Sequence, residues 1–251
     1  MPPSRRWRAK PRVRSSPASR RGIRLAQSAI RLLYSAAGGN LYDRVVVRGA
    51  FPLFGGHMPE LVIEQGRAAA EDAGAMPILD MPVGTAVFAA PTALIHKGLV
   101  AGVDIAGGMV AQAKKTAEDR GASNLSVVQA DARRLPFPDE SFGAVVSSNG
   151  LQVIPDAEAA LEELVRVLAP GKRLYLSVVT LPLGAALSRG SSGRLPVVLS
   201  SSAGVVDALI NSGLSVASVK RERLALLAEA VKPVRGDGEL GRLAVSPAGG
   251  P

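Results

Sequence analysis

Three short apolar runs of this chain each end in an aspartate: PILDMPVG at Asp80, GLVAGVDIAG at Asp104 and NLSVVQADARRLPF at Asp131. Near-continuous runs of this kind, rich in Val, Ile and Leu, mark strands covered on both faces. Segments of helical periodicity separate them. Strand and helix in alternation dictate a layered α/β fold around a mostly parallel sheet. Such sheets bind ligands in the crevice outside the carboxyl ends of their strands, and the three aspartates stand at those ends. A row of acids there suits a ligand bearing hydroxyls, an amine and a heterocycle, and repels a phosphate.

The pattern continues along the chain. MPELVIEQGRAAAEDAG reads as a helix, followed by a first strand at 77–81 and a helix at about 84–97. A second strand is expected at 99–104. The next helix, 106–120, carries Met109, Val110, Ala113 and Ala117 on one face and is stopped by Gly121. Strands at 125–130 and 143–148 come next. A helix then opens on Asp156 as N-cap, shows the stripe Ala160, Leu161, Leu164 and Leu168, and ends at Pro170-Gly171. A fifth strand covers 172–179. The Gly-, Ser- and Pro-rich stretch 181–202 reads as a loop or lid, VVDALINSGL as a helix, and the segment around Lys220–Arg223 as two closing antiparallel strands. The fold expected is a Rossmann-like, doubly wound, seven-stranded sheet, mostly parallel with a C-terminal antiparallel hairpin.

The net charge of +9 is unevenly distributed. Residues 1–50 hold 12 of the 30 Lys and Arg and one acid, Asp43, so the remaining 201 residues carry 18 bases against 20 acids. The near-neutral body argues against nucleic acid as its partner. Residues 1–40 form a basic extension: an Arg-, Pro- and Ser-rich leader too poor in apolar residues to order itself, then a short amphipathic stretch, GIRLAQSAIRLLY. A solvated tail is the plainest reading of it. A weak contact with anionic membrane or nucleic acid and an organellar transit peptide are the alternatives; otherwise the expected compartment is cytoplasmic. Residues 41–233 form the folded domain and 234–251 a tail. With no cysteine and two histidines, thiolate catalysis and disulfides are excluded, and no metal site is expected.

Four stretches resemble the class I S-adenosylmethionine-dependent methyltransferases, and within them the ubiquinone/menaquinone-type, small-molecule branch. They are ILDMPVGTA after strand one, GVDIAGGMVAQAKK after strand two, QADARRLPFPDESFGAVVSS after strand three, and VIPDAEAALEELVRVLAPGKRLYLS. The resemblance implies S-adenosylmethionine as cofactor. It assigns the ribose hydroxyls to Asp104, 24 residues beyond Asp80, the adenine face to Ile105, and the adenine amino group and ring nitrogen to Asp131 and the backbone N–H of Ala132. Asp80 and the turn containing Pro82, Gly84 and Thr85 would hold the methionine end, with Met109 and Asn149 completing the set. The family's glycines are replaced at Pro82 and Ala86. Proline fixes φ and removes a donor; alanine is penalised only where the backbone must be left-handed.

Methyl transfer from a sulfonium is an in-line displacement, so positioning supplies most of the rate and no catalytic base is assigned. SSNG after strand four replaces the (Asp/Asn)-Pro-Pro-(Tyr/Phe) motif of amino-directed nucleic-acid methyltransferases. The acceptor expected is an apolar small molecule, a quinone, lipid or secondary metabolite, methylated at oxygen or carbon. His57 is the only candidate imidazole base, though a surface position accounts for it more simply; His96 suits the last carbonyls of its own helix. The rival is a degenerate, non-catalytic binding or assembly protein. A nicotinamide dehydrogenase is disfavoured by the missing G-x-G-x-x-G.

Overall fold

The computed structural model describes residues 56–151, 154, 156–179 and 202–234. The basic extension, the loop expected at 181–202 (save its last residue) and all but the first residue of the expected tail lie outside the described residues.

Twelve elements follow one another: α1 (Met58–Ala73), β1 (Ile78–Asp80), α2 (Ala89–Ile95), β2 (Val100–Asp104), α3 (Gly107–Asp119), β3 (Leu125–Gln129), β4 (Phe142–Ser148), α4 (Ala157–Val167), β5 (Leu168–Val179), α5 (Ser202–Asn211), β6 (Ser215–Glu222) and β7 (Ala225–Val231). The strands form one seven-stranded sheet in the order β3-β2-β1-β4-β5-β7-β6. β1 to β5 are parallel neighbours, and β7 runs antiparallel to both β5 and β6. This is the expected architecture, with the hairpin folded back so that its second strand lies inside.

Each face of the sheet has its own apolar layer. Ala69 and Ala73 of α1, Ala89, Ala90 and Ala93 of α2 and Val110, Ala113 and Ala117 of α3 cover Ile78, Val100, Ala144, Val146 and Tyr175. Leu161, Leu164 and Val167 of α4 and Val205 and Leu209 of α5 cover Leu79, Val103, Val145, Leu174 and Leu176. The small residues on the first face let helices approach the sheet closely: a Cβ on Gly66 would lie 2.2 Å from Thr92 Oγ1, so α1 and α2 nearly touch there.

Two boundaries differ from expectation for local reasons. The helix expected at 84–97 shrinks to Ala89–Ile95. Residues 81–88 instead form a turn in which Val83 N–H donates to Val103 O at 2.8 Å and Ala86 takes φ 60°, a value no α-helix contains. The helix expected to reach Pro170 ends at Val167, because Leu168 is already extended and pairs with Phe142. Pro170 reinforces the end, since it drives the residue before it, Ala169, out of the helical region. Asp156 is the N-cap as expected: its carboxylate accepts from Ala159 N–H at 3.4 Å.

Arg166 ties α4 to the segment after β3. Its guanidinium donates to Glu163 at 2.7 and 2.8 Å, to Asp139 at 2.7 Å and to the carbonyls of Phe137 and Leu135 at 2.9 and 3.2 Å. Glu163 in turn accepts Leu135 N–H at 2.7 Å, and Arg166 holds the Glu163 carboxyl below its ordinary value. Arg166→Ala is expected to destabilise the fold by about 1.5–3 kcal/mol, the size of a partly buried hydrogen-bonded charge; urea unfolding measures it. Gly150→Ala is expected to cost about as much or more, because its Cβ would lie 1.9 Å from Pro82 Cδ.

Candidate functional site

Strand register sets the spacing of the carboxylates. Asp80 pairs with Gly102, so Asp104 stands two residues further along the neighbouring strand; Asp104 pairs with Gln129, and Asp131 lies two residues further again. The rim therefore steps outward from β1 to β3. By strand alternation Asp80 and Asp104 share the sheet face of Ile78, the α1–α3 side.

Asp104 is buried, and each of its oxygens takes a backbone N–H. Oδ2 accepts from Gly84 at 3.1 Å and Oδ1 from Ala106 at 2.9 Å. One side chain thus stitches the turn after β1 to the turn after β2. Burial raises its pKa, and the backbone hydrogen bonds oppose that rise. Asp80 is also buried but has no side-chain partner among the described residues. Burial, reinforced by the charge of Asp104, pushes its carboxyl up to about 7. A buried carboxyl poised near neutrality beside a second acid is an arrangement that a cation relieves.

The loop between them is built without two of the expected glycines. Ala86 has φ 60°, so the left-handed geometry that penalises alanine is the one the chain adopts. Its methyl is fully buried among Ala89, Ala90 and Val83, and its N–H and C=O bond Val83 O and Ala90 N–H, both at 2.9 Å. Core packing offsets the strain and keeps the methyl out of the loop's concave side. Pro82 follows a cis peptide and packs flat against Gly150. Gly84 takes φ 54°, and nothing lies within 4 Å of where its Cβ would be. Open space beside that glycine, the buried carboxyl of Asp80 and a 46 % exposed Ile105 at the next turn fit an adenosyl-amino-acid ligand. Gln129 Nε2 secures that turn through Ile105 O at 3.0 Å. Thr85, next to Gly84 in sequence, and Met109, early in α3, are both buried.

The remaining expected residues divide. Ala132 is buried in the layer under α4. Asp131 is engaged by Arg133, whose Nε and Nη2 donate to the carboxylate at 3.0, 3.2 and 2.6 Å and whose backbone N–H donates at 3.0 Å. The ion pair is more than a third exposed on each side, where water screens it strongly. Asn149 leaves β4 at φ 54° and points Nδ2 toward Ser177 Oγ at 3.4 Å. His57 is 85 % exposed, 3.6 Å from Glu222, on the surface as its plainer reading holds. His96 departs from expectation: its Nε2 bonds Met76 O at 3.0 Å, so it braces the entry to β1 and leaves its own helix's last carbonyls alone. Among the described residues no cluster of His, Asp and Glu suits a metal ion.

Sequence reasoning passed over Gln65 and Ser148. Both have a buried side-chain oxygen without a partner among the described residues, as does Asn149. The signal for Gln65 was a polar residue on the stripe of Met58, Val62, Gly66 and Ala69. For Ser148 no signal distinguishes it from any strand-end serine.

Comparison with known proteins agrees with this geometry. The family model described as a methyltransferase domain matches residues 78–171. A ubiquinone/menaquinone biosynthesis C-methyltransferase of Serratia proteamaculans is 37% identical over 115 residues, 45% of this chain and 46% of that protein. A demethylmenaquinone methyltransferase of Thermus thermophilus is 45% identical over 100 residues, 39% of this chain and 45% of that protein. The chain thus spans a little under half the length of these curated relatives. The crystal structure of an S-adenosylmethionine-dependent methyltransferase from Aquifex aeolicus superposes with a TM-score of 0.57 at 21% identity, over 72% of this chain and 95% of that one, which is a likeness of fold. Residues 78–171 thus match a methyltransferase domain, and over this part of its length the chain is similar to ubiquinone/menaquinone-type methyltransferases.

Proposed function

We propose that the protein transfers the methyl group of S-adenosylmethionine to oxygen or carbon of an apolar small molecule of the quinone, lipid or secondary-metabolite kind. The observation that carries this reading is the buried pair Asp80 and Asp104 at adjoining strand ends, one carboxylate tied to two backbone amides and the other without a side-chain partner among the described residues. The names of the curated relatives support a quinone-like acceptor. A cytoplasmic setting belongs to the same proposal, and no helix among the described residues is long and apolar enough to cross a membrane.

When bound, S-adenosylmethionine would supply an activated methyl on a sulfonium, leaving as S-adenosylhomocysteine while the acceptor gives up a proton. The chain's own residues position. Asp104 holds the turns at Gly84 and Ala106 and offers its outer lone pairs to ribose hydroxyls. Asp80, ionised, faces the ammonium end. Ile105 lends an apolar face to the adenine, and Asp131 receives its amino group by sharing the carboxylate that Arg133 now engages. The turn 81–86 keeps water from the methionine end.

A second reading, a domain that no longer binds cofactor and serves as a binding or assembly partner, is favoured by Pro82 and by the left-handed Ala86. Replacing both by glycine separates the two. A change in S-adenosylmethionine affinity of less than about threefold is expected on titration of the double variant, because the Ala86 methyl is accommodated in the core. A gain of tenfold or more favours the degenerate reading.

Calorimetric titration of the full chain tests the main proposal directly, and absence of binding at millimolar S-adenosylmethionine ends it. Asp104→Asn is expected to weaken binding by about tenfold to a hundredfold, from the loss of charge-assisted hydrogen bonds. The pH dependence follows from Asp80. A cation binds its ionised form, so affinity is expected to rise with pH up to about 7 and to level off above it. Stability runs the other way. A carboxyl raised from 3.8 to about 7 by folding keeps a proton that the unfolded chain releases, so its contribution is full below 3.8 and gone above about 7. Asp80→Asn is expected to flatten both profiles.

A further inference from the structure

The 12 Lys and Arg of residues 1–50 meet a single acid, and nine of them fall within residues 1–24. The stretch that begins at Gly22, GIRLAQSAIRLLY, sets Ile23, Ala26, Ile30 and Leu33 at helical spacing, with Arg24, Gln27 and Arg31 on a different face. Positive charge alone suits any polyanion. A nucleic acid offers phosphates but no apolar phase for four aliphatic side chains, whereas an anionic bilayer offers both.

Gly56, the first described residue, fixes where this basic stretch joins the folded body. A Cβ on Gly56 would lie 2.7 Å from Glu222 Oε1 and 3.3 Å from Arg223 Cδ, so the chain passes against the turn between β6 and β7. His57 stands 3.6 Å from Glu222. Met58 and Val62 pack with Ala225, the register partner of Val179 at the last residue of β5. Since β7 is antiparallel to both β5 and β6, β6 points the same way as β1 to β5 and its carboxyl end shares their rim. Lys220, Arg221 and Arg223 are exposed there. Glu222 is the one acid between Ser215 and Leu224. The extension therefore meets the body beside a second group of bases, on the rim that carries Asp80 and Asp104.

We propose that the N-terminal extension and the β6–β7 turn together form a docking surface for an anionic lipid bilayer, with the carboxyl rim of the sheet turned toward it. Lys and Arg of both parts are drawn to acidic headgroups, and Ile23, Ala26, Ile30 and Leu33 enter the boundary between headgroups and acyl chains. Neither part suffices alone. Three bases on a turn act only within a Debye length, about 10 Å at 0.1 M salt, and an extension by itself does not orient the body behind it. Joined at Gly56, the two set the crevice over the membrane. The docking does not require methyl transfer. That reading gives it a use, because an apolar acceptor is concentrated in the bilayer that the crevice then faces.

The test uses the full chain without cofactor, so its outcome is separate from that of the S-adenosylmethionine titration. Sedimentation compares phosphatidylcholine vesicles, the same vesicles with phosphatidylglycerol added, and single-stranded RNA; Trp7, the only tryptophan, reports on the extension by fluorescence. Vesicles containing phosphatidylglycerol are expected to bind about tenfold or more tightly than neutral vesicles, and more tightly than RNA of equal phosphate concentration, with a blue shift of Trp7 emission. Ile30→Asp with Leu33→Asp should weaken vesicle binding by about tenfold or more and leave RNA retention unchanged. Lys220→Gln with Arg221→Gln should weaken vesicle binding by about tenfold, and Lys97→Gln, at the opposite end of the strands, by less than about twofold. If the double variant in β6 does not fold, Lys220→Gln alone decides, with an expected loss of about threefold. Equal binding to neutral and anionic vesicles, tighter binding to RNA, or no vesicle binding at low salt overturns the proposal. So does vesicle binding that survives the changes at Ile30 and Leu33. Full retention by the β6 variants overturns it too, since a tail would then bind without orienting the crevice.

Discussion

The site depends on what one carboxylate does with its two oxygens. Asp104 receives Gly84 N–H on one and Ala106 N–H on the other, so loops separated by a helix and a strand are held at fixed distance by a single side chain. A buried carboxylate is costly unless hydrogen-bonded, and these two bonds are what let it persist at the strand end. Burial, reinforced by the charge of Asp104 next door, pushes the Asp80 carboxyl up to about 7. Burial raises Asp104 as well, but there the backbone hydrogen bonds oppose the rise.

The loop after β1 shows how the chain manages with fewer glycines. Left-handed backbone at Ala86 costs about 1–2 kcal/mol, yet its methyl is buried in the α2 layer and both its backbone groups are bonded. The proline ring at position 82 takes space that the chain gives back at Gly150, where any side chain would collide with it. The added bulk packs into the core, and space stays open beside Gly84.

Much of this was legible in the sequence. Uninterrupted apolar runs located β1, β2 and β3 to within a residue or two, and the stripe Ala160, Leu161 and Leu164 located α4. The aspartates that end those runs were recognisable because charge at the tip of a buried strand has no packing role. What escaped was decided by tertiary geometry. Helical periodicity over 84–97 was real, but the left-handed Ala86 and the bond from Val83 to Val103 take its first turn for the cofactor loop. His96 bonds a carbonyl 20 residues earlier, which no local pattern encodes. Gln65 stood in plain view as the one polar side chain on an apolar stripe.

The interior position of β7 has a consequence for how the molecule comes into being. Its residues 225–231 pair with β5 on one side and β6 on the other, so β5 has a bare hydrogen-bonding edge until those residues have been made. During synthesis the parallel core from β1 to β5 emerges first, offering an unprotected strand to any passing partner. The hairpin of β6 and β7 is local in sequence and can form on its own schedule, then seal that edge as one piece. Termination between Val179 and Ala225 would therefore leave the parallel core complete but with β5 at an open edge.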